Sequence, residues 1–211
     1  ITTMINGLLY KKGNVNLNIS TLELEKELMK NIFQENKTNP IKSSKNLINN
    51  ISLSQINENE FKNKLLPYIN DLVVKSIIVL NRQLSNEVYS SEKYSLSFKE
   101  EANKIDNYKN LPTIYISLYS RICLGEEYFN NREENLAERI LYSIISSPCE
   151  YRENLIGNII LSGGNSMSLG LYKRLFEEII YEIENNKEYS CLLPLKEKVN
   201  IHKILFPRNC L

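Results

Sequence analysis

Apolar residues recur at helical spacing in two segments of the second half of the chain. Residues 136–146 and residues 171–183 each place their apolar side chains on one stripe. The stripes comprise Leu136, Ile140, Leu141, Ile144 and Ile145, and Leu171, Leu175, Phe176, Ile179, Ile180 and Ile183. A period of about 3.6 residues predicts two amphipathic helices, each with one face in the core. Pro148 ends the first helix, and residues 150–157 predict a further helical turn or two.

A strand, a glycine pair and a helix follow one another in residues 159–183. Ile159–Leu161 predicts a short buried strand that leads directly into Ser162-Gly163-Gly164. Adjacent glycines let the backbone turn tightly, and the N–H groups at the start of the next helix favour a phosphate or another polar group. From spacing alone a plain tight turn is the better interpretation, because the chain has neither a P-loop nor a dinucleotide-binding glycine fingerprint. The order of elements predicts an α/β unit.

The first residues of the chain carry a pattern of strand alternation. Val15, Leu17 and Ile19 alternate with asparagines, and Lys11 to Asn14 have the composition of a turn. Residues 7–19 are therefore predicted to form a β-hairpin that turns at residues 11–14.

A helix is predicted to begin after Ser20, because Ser20 and Glu23 have the spacing of a capping box. Its apolar residues recur at every fourth position: Leu24, Leu28 and Ile32. Further along, Leu65-Leu66 and residues 72–74 predict a helix, and residues 77–80 fit a strand as well as a helix. Residues 113–118 predict a strand followed by a loop to Phe129. Residues 42–59 and 87–110 are polar and predict loops or surface insertions.

Composition narrows the function classes without choosing among them. Hydrophobic residues make up 42% and charged residues 24% of the 211 residues, and the net charge is +1. Nucleic acid is not an expected partner, because nucleic-acid binders gather a basic excess on one face. A membrane is not expected either, since no apolar run approaches the roughly 20 residues that span a bilayer. The chain does not begin with Met, so we expect it to be a piece of a longer protein.

Neither catalytic nor metal-ligating residues are predicted. The four cysteines (Cys123, Cys149, Cys191 and Cys210) form no CxxC pair, and the single histidine, His202, falls in a predicted strand. We expect reduced, mostly buried thiols, as in a cytosolic or nuclear protein. Three carboxylate pairs are predicted to be solvated surface, because adjacent residues on a helix do not face each other. These pairs are Glu126-Glu127, Glu133-Glu134 and Glu177-Glu178.

Two segments resemble the actin family. Residues 158–170 read NIILSGGNSMSLG and are followed by Arg174-Leu175 and Glu178-Ile179, as in the family's glycine loop and the helix after it. Residues 5–32 are similar, without gaps, to the family's hairpin and next helix. The resemblance implies the α/β actin-like fold of the ribonuclease H-like, Hsp70-type ATPase superfamily, with subdomains 3 and 4 only. Subdomain 3 would comprise residues 1–20 and 105–211, and subdomain 4, with its polar insertions, residues 21–104.

The resemblance also implies a nucleotide contact. Its residues would be those of an adenine-side loop: Gly163, Gly164, Asn165, Ser166 and Met167. Several neighbours depart from the family pattern. Ser168 replaces a Tyr that lines the adenine, Val73 and Val74 replace a Lys-Glu pair, Thr21 replaces a Gly, and Asn209 replaces a Lys. Loss of charged and stacking partners weakens adenine binding. ATP or ADP is thus allowed in the intact protein and not expected in this fragment.

Within the family, the chain is most similar to the actin-related protein at the pointed end of dynactin. Residues 143–152, 181–184, 199–202 and 209–211 carry this likeness. It implies a structural role in the cytoplasm and cytoskeleton, capping an actin-like filament and docking pointed-end subunits. Alternatives are an ATP-binding actin-like ATPase and a nuclear actin-related subunit of a chromatin complex. Exposed apolar surface where a missing half would pack predicts that the fragment self-associates.

Overall fold

The computed structural model describes residues 1–16, 21–38, 63, 73, 76–85, 118–130 and 135–204. These residues form a mixed arrangement of helices and short strands. The helices are α1 (Thr21–Thr38), α2 (Leu118–Asn130), α3 (Leu136–Ile145), α4 (Cys149–Ile156) and α5 (Leu171–Asn185). The strands are β1 (Met4–Ile5), β2 (Leu8–Leu9), β3 (Ile159–Leu161) and β4 (Ile201–Lys203). Three 3-10 helices span Lys11–Gly13, Gly164–Met167 and Lys187–Lys198.

The N-terminal hairpin turns earlier than predicted. β1 and β2 pair antiparallel, with Ile5 opposite Leu8, so the turn consists of Asn6 and Gly7. Both turn residues have positive φ (52° and 77°), which is the requirement of a two-residue type I′ hairpin. The predicted turn at residues 11–14 is wrong, because Lys11–Gly13 forms a 3-10 helix instead. Asn-Gly between apolar pairs was the stronger turn signal. Residues 17–20 lie outside the described part, so the proposed capping box stays a prediction.

The helix predicted after Ser20 is confirmed as α1. Leu24, Leu28 and Ile32 are almost completely buried, and α1 packs against α2. α2 itself contradicts the predicted loop to Phe129. Its buried face includes Leu124 and Phe129, but Gly125 in the middle lowers its intrinsic helix propensity. Tertiary packing overrides that propensity.

The second half of the chain follows its predicted order. The predicted helices are present as α3, α4 and α5, and β3 pairs in parallel with β4, Ile159 opposite Ile201. Two expectations of burial are wrong. Ile160 of β3 is 59% exposed, and Phe176 of α5 is 38% exposed, because each points away from the face that packs on the core.

One hydrophobic core cluster runs through the described residues. It joins α1, α2, α3 and α5 with the 3-10 helix Lys187–Lys198, and it includes Val73 and Ile77. Ile78, in the segment that fitted either a strand or a helix, forms a single parallel bridge with Leu169. The polar stretches 42–59 and 87–110 lie outside the described residues. The predicted subdomain boundaries therefore stay predictions.

The cysteines are less buried than predicted. Cys149 and Cys191 are exposed and Cys123 is half-buried, which makes the expectation of mostly buried thiols wrong for the first two. None of these three forms a disulfide. Helices in the described ranges are all too short or too polar to cross a membrane.

Candidate functional site

The segment Ser162 to Gly170, hereafter the glycine loop, connects β3 to α5. Gly163 has φ 94° and ψ 170°, a conformation that residues with a Cβ rarely adopt. A Cβ added to Gly163 would meet no atom within 4 Å, so the backbone conformation, rather than crowding, requires glycine here. The loop therefore presents its backbone to open space at Gly163.

The five residues predicted to contact a nucleotide are contiguous, but they do not face the same way. The backbone N–H and the hydroxyl of Ser166 both donate to the Gly163 carbonyl oxygen, at 3.2 and 2.7 Å. Ser166 is buried and closes the loop from inside. Gly164, Asn165 and Met167 are half-buried, and Gly163 is exposed. Of the five predicted residues, only Gly163, which has no side chain, is fully exposed.

The glycine loop offers little side-chain chemistry to a ligand. Residues 162–170 carry no charged side chain, so any anion held here would rest on backbone N–H groups and the dipole of α5. Ser168 is buried, and its hydroxyl has no hydrogen-bond partner among the described residues. Val73 is completely buried in the core. Neither of these replaced positions presents a polar group to a nucleotide.

A second feature, hereafter the buried charge cluster, comprises Arg82, Glu126, Arg174 and Glu178. Arg174 donates from Nε to Glu178 Oε1 at 2.6 Å and from Nη1 to Glu126 Oε1 at 3.3 Å. Glu178 also pairs with Arg82 through its second oxygen, and Ser85 Oγ donates to Glu126 Oε2 at 2.7 Å. Glu126, Arg174 and Glu178 have side-chain exposures of 1%, 2% and 4%. The prediction of solvated carboxylates is therefore wrong for Glu126 and Glu178; Glu133 and Glu134 lie outside the described residues.

Aromatic rings complete the surroundings of the two arginines. The Arg174 guanidinium lies 5.0 Å from the centre of the Phe129 ring, and that of Arg82 lies 3.2 Å from the centre of the Tyr181 ring. Each ring face attracts the cation and excludes water from one side. Next to Phe129, burial raises the pKa of Tyr128 to about 12, and the Tyr128 hydroxyl has no partner among the described residues.

The buried charge cluster and the glycine loop meet at residues 77–81. Val79 N–H donates to the Leu169 carbonyl at 2.8 Å, at the end of the glycine loop. A Cβ at Gly170 would lie 2.0 Å from the Val79 carbonyl oxygen, so only glycine allows this approach. Arg174 donates to the carbonyl oxygens of Leu80 and Asn81 at 3.1 and 3.4 Å.

The sequence contains a signal that could have predicted part of the buried charge cluster. Arg174 and Glu178 recur on the same helical face as Leu171, Leu175 and Ile179, which was predicted to enter the core. Charged residues at core positions of an amphipathic helix must be paired, because an isolated buried charge is too costly. This argument could have found Arg174 and Glu178; it could not have found Glu126, whose helix was not predicted.

The described part of the chain contains His202 and three of the four cysteines as potential metal ligands. There, no group of three or more His, Cys, Asp or Glu side chains could hold a metal ion. His202 lies exposed in β4, with its Nε2 3.1 Å from Asn200 Nδ2.

Comparison with known families decides what kind of protein carries this loop. The model of the family described as Actin matches residues 1–203. The chain belongs to the actin family. The matched range contains both the glycine loop and the whole buried charge cluster. The family assignment confirms the resemblance to the actin family and supports the expected actin-like fold.

Proposed function

We propose that this chain is part of a divergent actin-related protein with a structural role, which caps the end of a short actin-like filament in a dynactin-like cytoskeletal complex of the cytoplasm. Its segment would contain subdomains 3 and 4 of the actin fold, as in the wider ribonuclease H-like superfamily. Its partners would be actin-like filament subunits on one side and pointed-end subunits on the other. The proposal rests on the family match over residues 1–203 and on the state of the glycine loop.

The observation that carries the structural role is a retained loop with altered surroundings. Gly163 keeps its glycine-only conformation, which preserves the loop's shape. Ser168 and Val73 are buried and offer no polar group where the family has adenine contacts. Nucleotide turnover needs groups placed closely around the ligand, whereas a static bound nucleotide needs only the cradle. ATP or ADP would therefore act in the intact protein as a structural ligand held against residues 163–167.

The polar stretches support a capping role. Residues 36–59 and 87–110 are rich in Asn, Ser, Lys and Glu, so they would change the surface of the actin fold. Residues 36–38 belong to the last turn of α1. A capping subunit must bind its filament through one face only, because a subunit that binds through both faces continues the filament. Divergent surface on a retained fold meets that requirement.

Polymerisation of the intact purified protein tests this role. Light scattering should stay flat as its concentration rises, and substoichiometric amounts should slow the growth of actin-like filaments at one end. Proteins that co-purify with it should include subunits of a dynactin-like complex. Filaments formed by the protein alone would overturn the proposal, and co-purification of chromatin-complex subunits would support the nuclear alternative instead.

The retained conformation of Gly163 also favours a second candidate, an ATP-binding actin-like ATPase. This alternative predicts that ATP raises the melting temperature of the intact protein and is hydrolysed at a rate that Gly163→Val abolishes. The structural role predicts stabilisation by ATP or ADP without hydrolysis. Phosphate release measured beside thermal stabilisation separates the two.

A further inference from the structure

The segment of residues 76–85 is held from both sides by close backbone contacts. On one side, Ile78 N–H donates to the Arg121 carbonyl at 3.1 Å, and a Cβ at Gly125 would lie 2.2 Å from the Ile78 carbonyl oxygen. On the other side, Val79 N–H donates to Leu169 at the end of the glycine loop. The segment therefore lies between α2 and the glycine loop without room for a side chain at either contact.

Arg174 contacts α2 and residues 80–81 through its side chain and the end of the glycine loop through its backbone N–H. Its guanidinium binds carboxylates of α2 and α5 and the carbonyls of Leu80 and Asn81. Its backbone N–H donates to the Gly170 carbonyl at 3.1 Å, at the end of the glycine loop. A guanidinium presents its donors in a rigid fork, so one orientation of Arg174 satisfies partners from several elements together.

The far end of the segment is fixed by the same two carboxylates and by Glu177. Arg82 pairs with Glu178, the Arg82 backbone N–H donates to Glu177 Oε2 at 2.9 Å, and Ser85 donates to Glu126. The cluster contains two arginines and two buried carboxylates, which balance in charge. Loss of one carboxylate leaves an excess positive charge away from water, where salt does not screen it.

We propose that Arg174, with Glu126 and Glu178, is a positioning residue that couples the glycine loop to residues 76–85, so that the two open and close as one cooperative unit. The coupling follows from the contacts alone. Its consequence for a ligand rests on the proposed nucleotide site. A nucleotide bound to the glycine loop would stabilise residues 76–85, and loosening those residues would weaken nucleotide binding.

Hydrogen exchange of the intact protein carrying Glu126→Gln tests the coupling. Gln keeps the side-chain volume and an acceptor for Ser85 but removes the charge that faces Arg174. The backbone amides of Val79, in the segment, and Ser168, in the glycine loop, should both exchange about tenfold faster or more, and by the same factor. The amides of Leu141 and Ile144 in α3 should keep their wild-type rates. Glu184→Gln, an exposed substitution of the same type on α5, is the matched control and should change neither pair.

Two outcomes overturn the coupling. Faster exchange at Val79 with an unchanged rate at Ser168 would mean that the segment opens without the loop. Equal acceleration at Val79, Ser168 and the α3 amides would mean that the cluster contributes only global stability. If Glu126→Gln does not fold, Arg174→Lys keeps the charge without the fork, and the same two comparisons apply to it.

ADP binding to the same proteins tests the consequence for a ligand. Glu126→Gln should weaken ADP binding about tenfold relative to Glu184→Gln, because a site whose support is loosened loses affinity. Unchanged affinity would overturn the link to the ligand. Failure of the wild-type protein to bind ADP would instead remove the proposed nucleotide site and leave the exchange result to decide the coupling.

Discussion

Glu126 and Glu127 are adjacent in α2 and lie in opposite electrostatic surroundings. Glu126 belongs to the buried charge cluster, where Arg174 and Ser85 satisfy its carboxylate. Glu127 faces α1 and lies near Glu27 and Glu23, which together we call the acidic seam. Partial burial first, and then these two carboxylates, raises the pKa of Glu127. A buried carboxylate must keep its partners for the fold to be stable. An exposed carboxylate among like charges lowers the stability of the fold only slightly.

The largest effect is expected when the buried charge cluster loses its central cation. Arg174→Met keeps most of the volume and leaves Glu126 and Glu178 buried with Arg82 alone. Removing one partner of a buried ion pair costs about 3–5 kcal/mol. Urea unfolding should show this loss, whereas Lys173→Met, at the exposed neighbouring position, should change stability by less than about 0.5 kcal/mol. A loss below about 1 kcal/mol for Arg174→Met would mean that the cluster, like the acidic seam, contributes little to stability.

Gly125 provides a test by sign. In an exposed helix interior, Gly→Ala stabilises by up to about 1 kcal/mol. In α2 the added Cβ would lie 2.2 Å from the Ile78 carbonyl oxygen, so Gly125→Ala should destabilise by about 1–3 kcal/mol through overpacking. Thermal unfolding measures the change. A stabilised variant would show that residues 76–85 do not pack on α2. The packing that positions the buried charge cluster would then be wrong.

Tyr128 follows the two glutamates in α2 and extends the comparison to alkaline pH. Burial raises its pKa from the ordinary value of 10.0 to about 12. The folded state holds this proton more tightly, so the contribution is intact below pH 10 and is lost as pH rises through about 12. At pH 11 the loss is about 1.4 kcal/mol. Tyr128→Phe should remove this part of the pH dependence in unfolding measured from pH 9 to 11.5.

The neutral-pH stability of Tyr128→Phe is an internal control. The hydroxyl has no partner among the described residues, so its removal should be neutral or slightly stabilising. Tyr189→Phe, at a second tyrosine whose pKa is raised to about 12 chiefly by burial, should flatten the alkaline loss in the same direction. Destabilisation of Tyr128→Phe by more than about 1 kcal/mol at pH 7 would indicate a partner for the hydroxyl.

The smallest effect is expected at the acidic seam. A raised pKa means that the ionised carboxylate is disfavoured in the folded state, so this contribution to stability is present at low pH and lost as pH rises through the folded pKa. Glu127→Gln should therefore stabilise the protein at pH 7, by at most about 0.5 kcal/mol because the site is partly exposed. The gain should shrink in high salt. Glu197→Gln, exposed elsewhere, is the control, and a destabilised Glu127→Gln would mean that the carboxylate has a favourable partner.

Elements with a strong local pattern were predictable, and elements held by distant contacts were not. The apolar spacing of α1, α3 and α5 identified all three helices. α2 was missed because Gly125 weakens its helical pattern, although Gly125 is required by its contact with Ile78. The hairpin was misplaced by several residues because alternation after Gly13 outweighed the Asn6-Gly7 signal.

The same distinction between local pattern and distant contacts applies to the candidate site. The glycine loop was recognisable, because Gly163 performs a local backbone task that no other residue does well. The inward direction of Ser166 and the burial of Ser168 depend on how the loop closes and on what packs behind it. Spacing along the chain carries no information on either.

The sequence by itself determined the family of this protein, the order of its main helices and the glycine turn after β3, because these depend on neighbouring residues and on a contiguous motif. Only the tertiary structure decided which charges are structural. Glu126 and Glu127 have the same side chain and adjacent positions, and 48 residues separate Glu126 from the Arg174 that neutralises it. Burial removes the water that would otherwise make the two carboxylates alike, and burial is a property of the assembled fold.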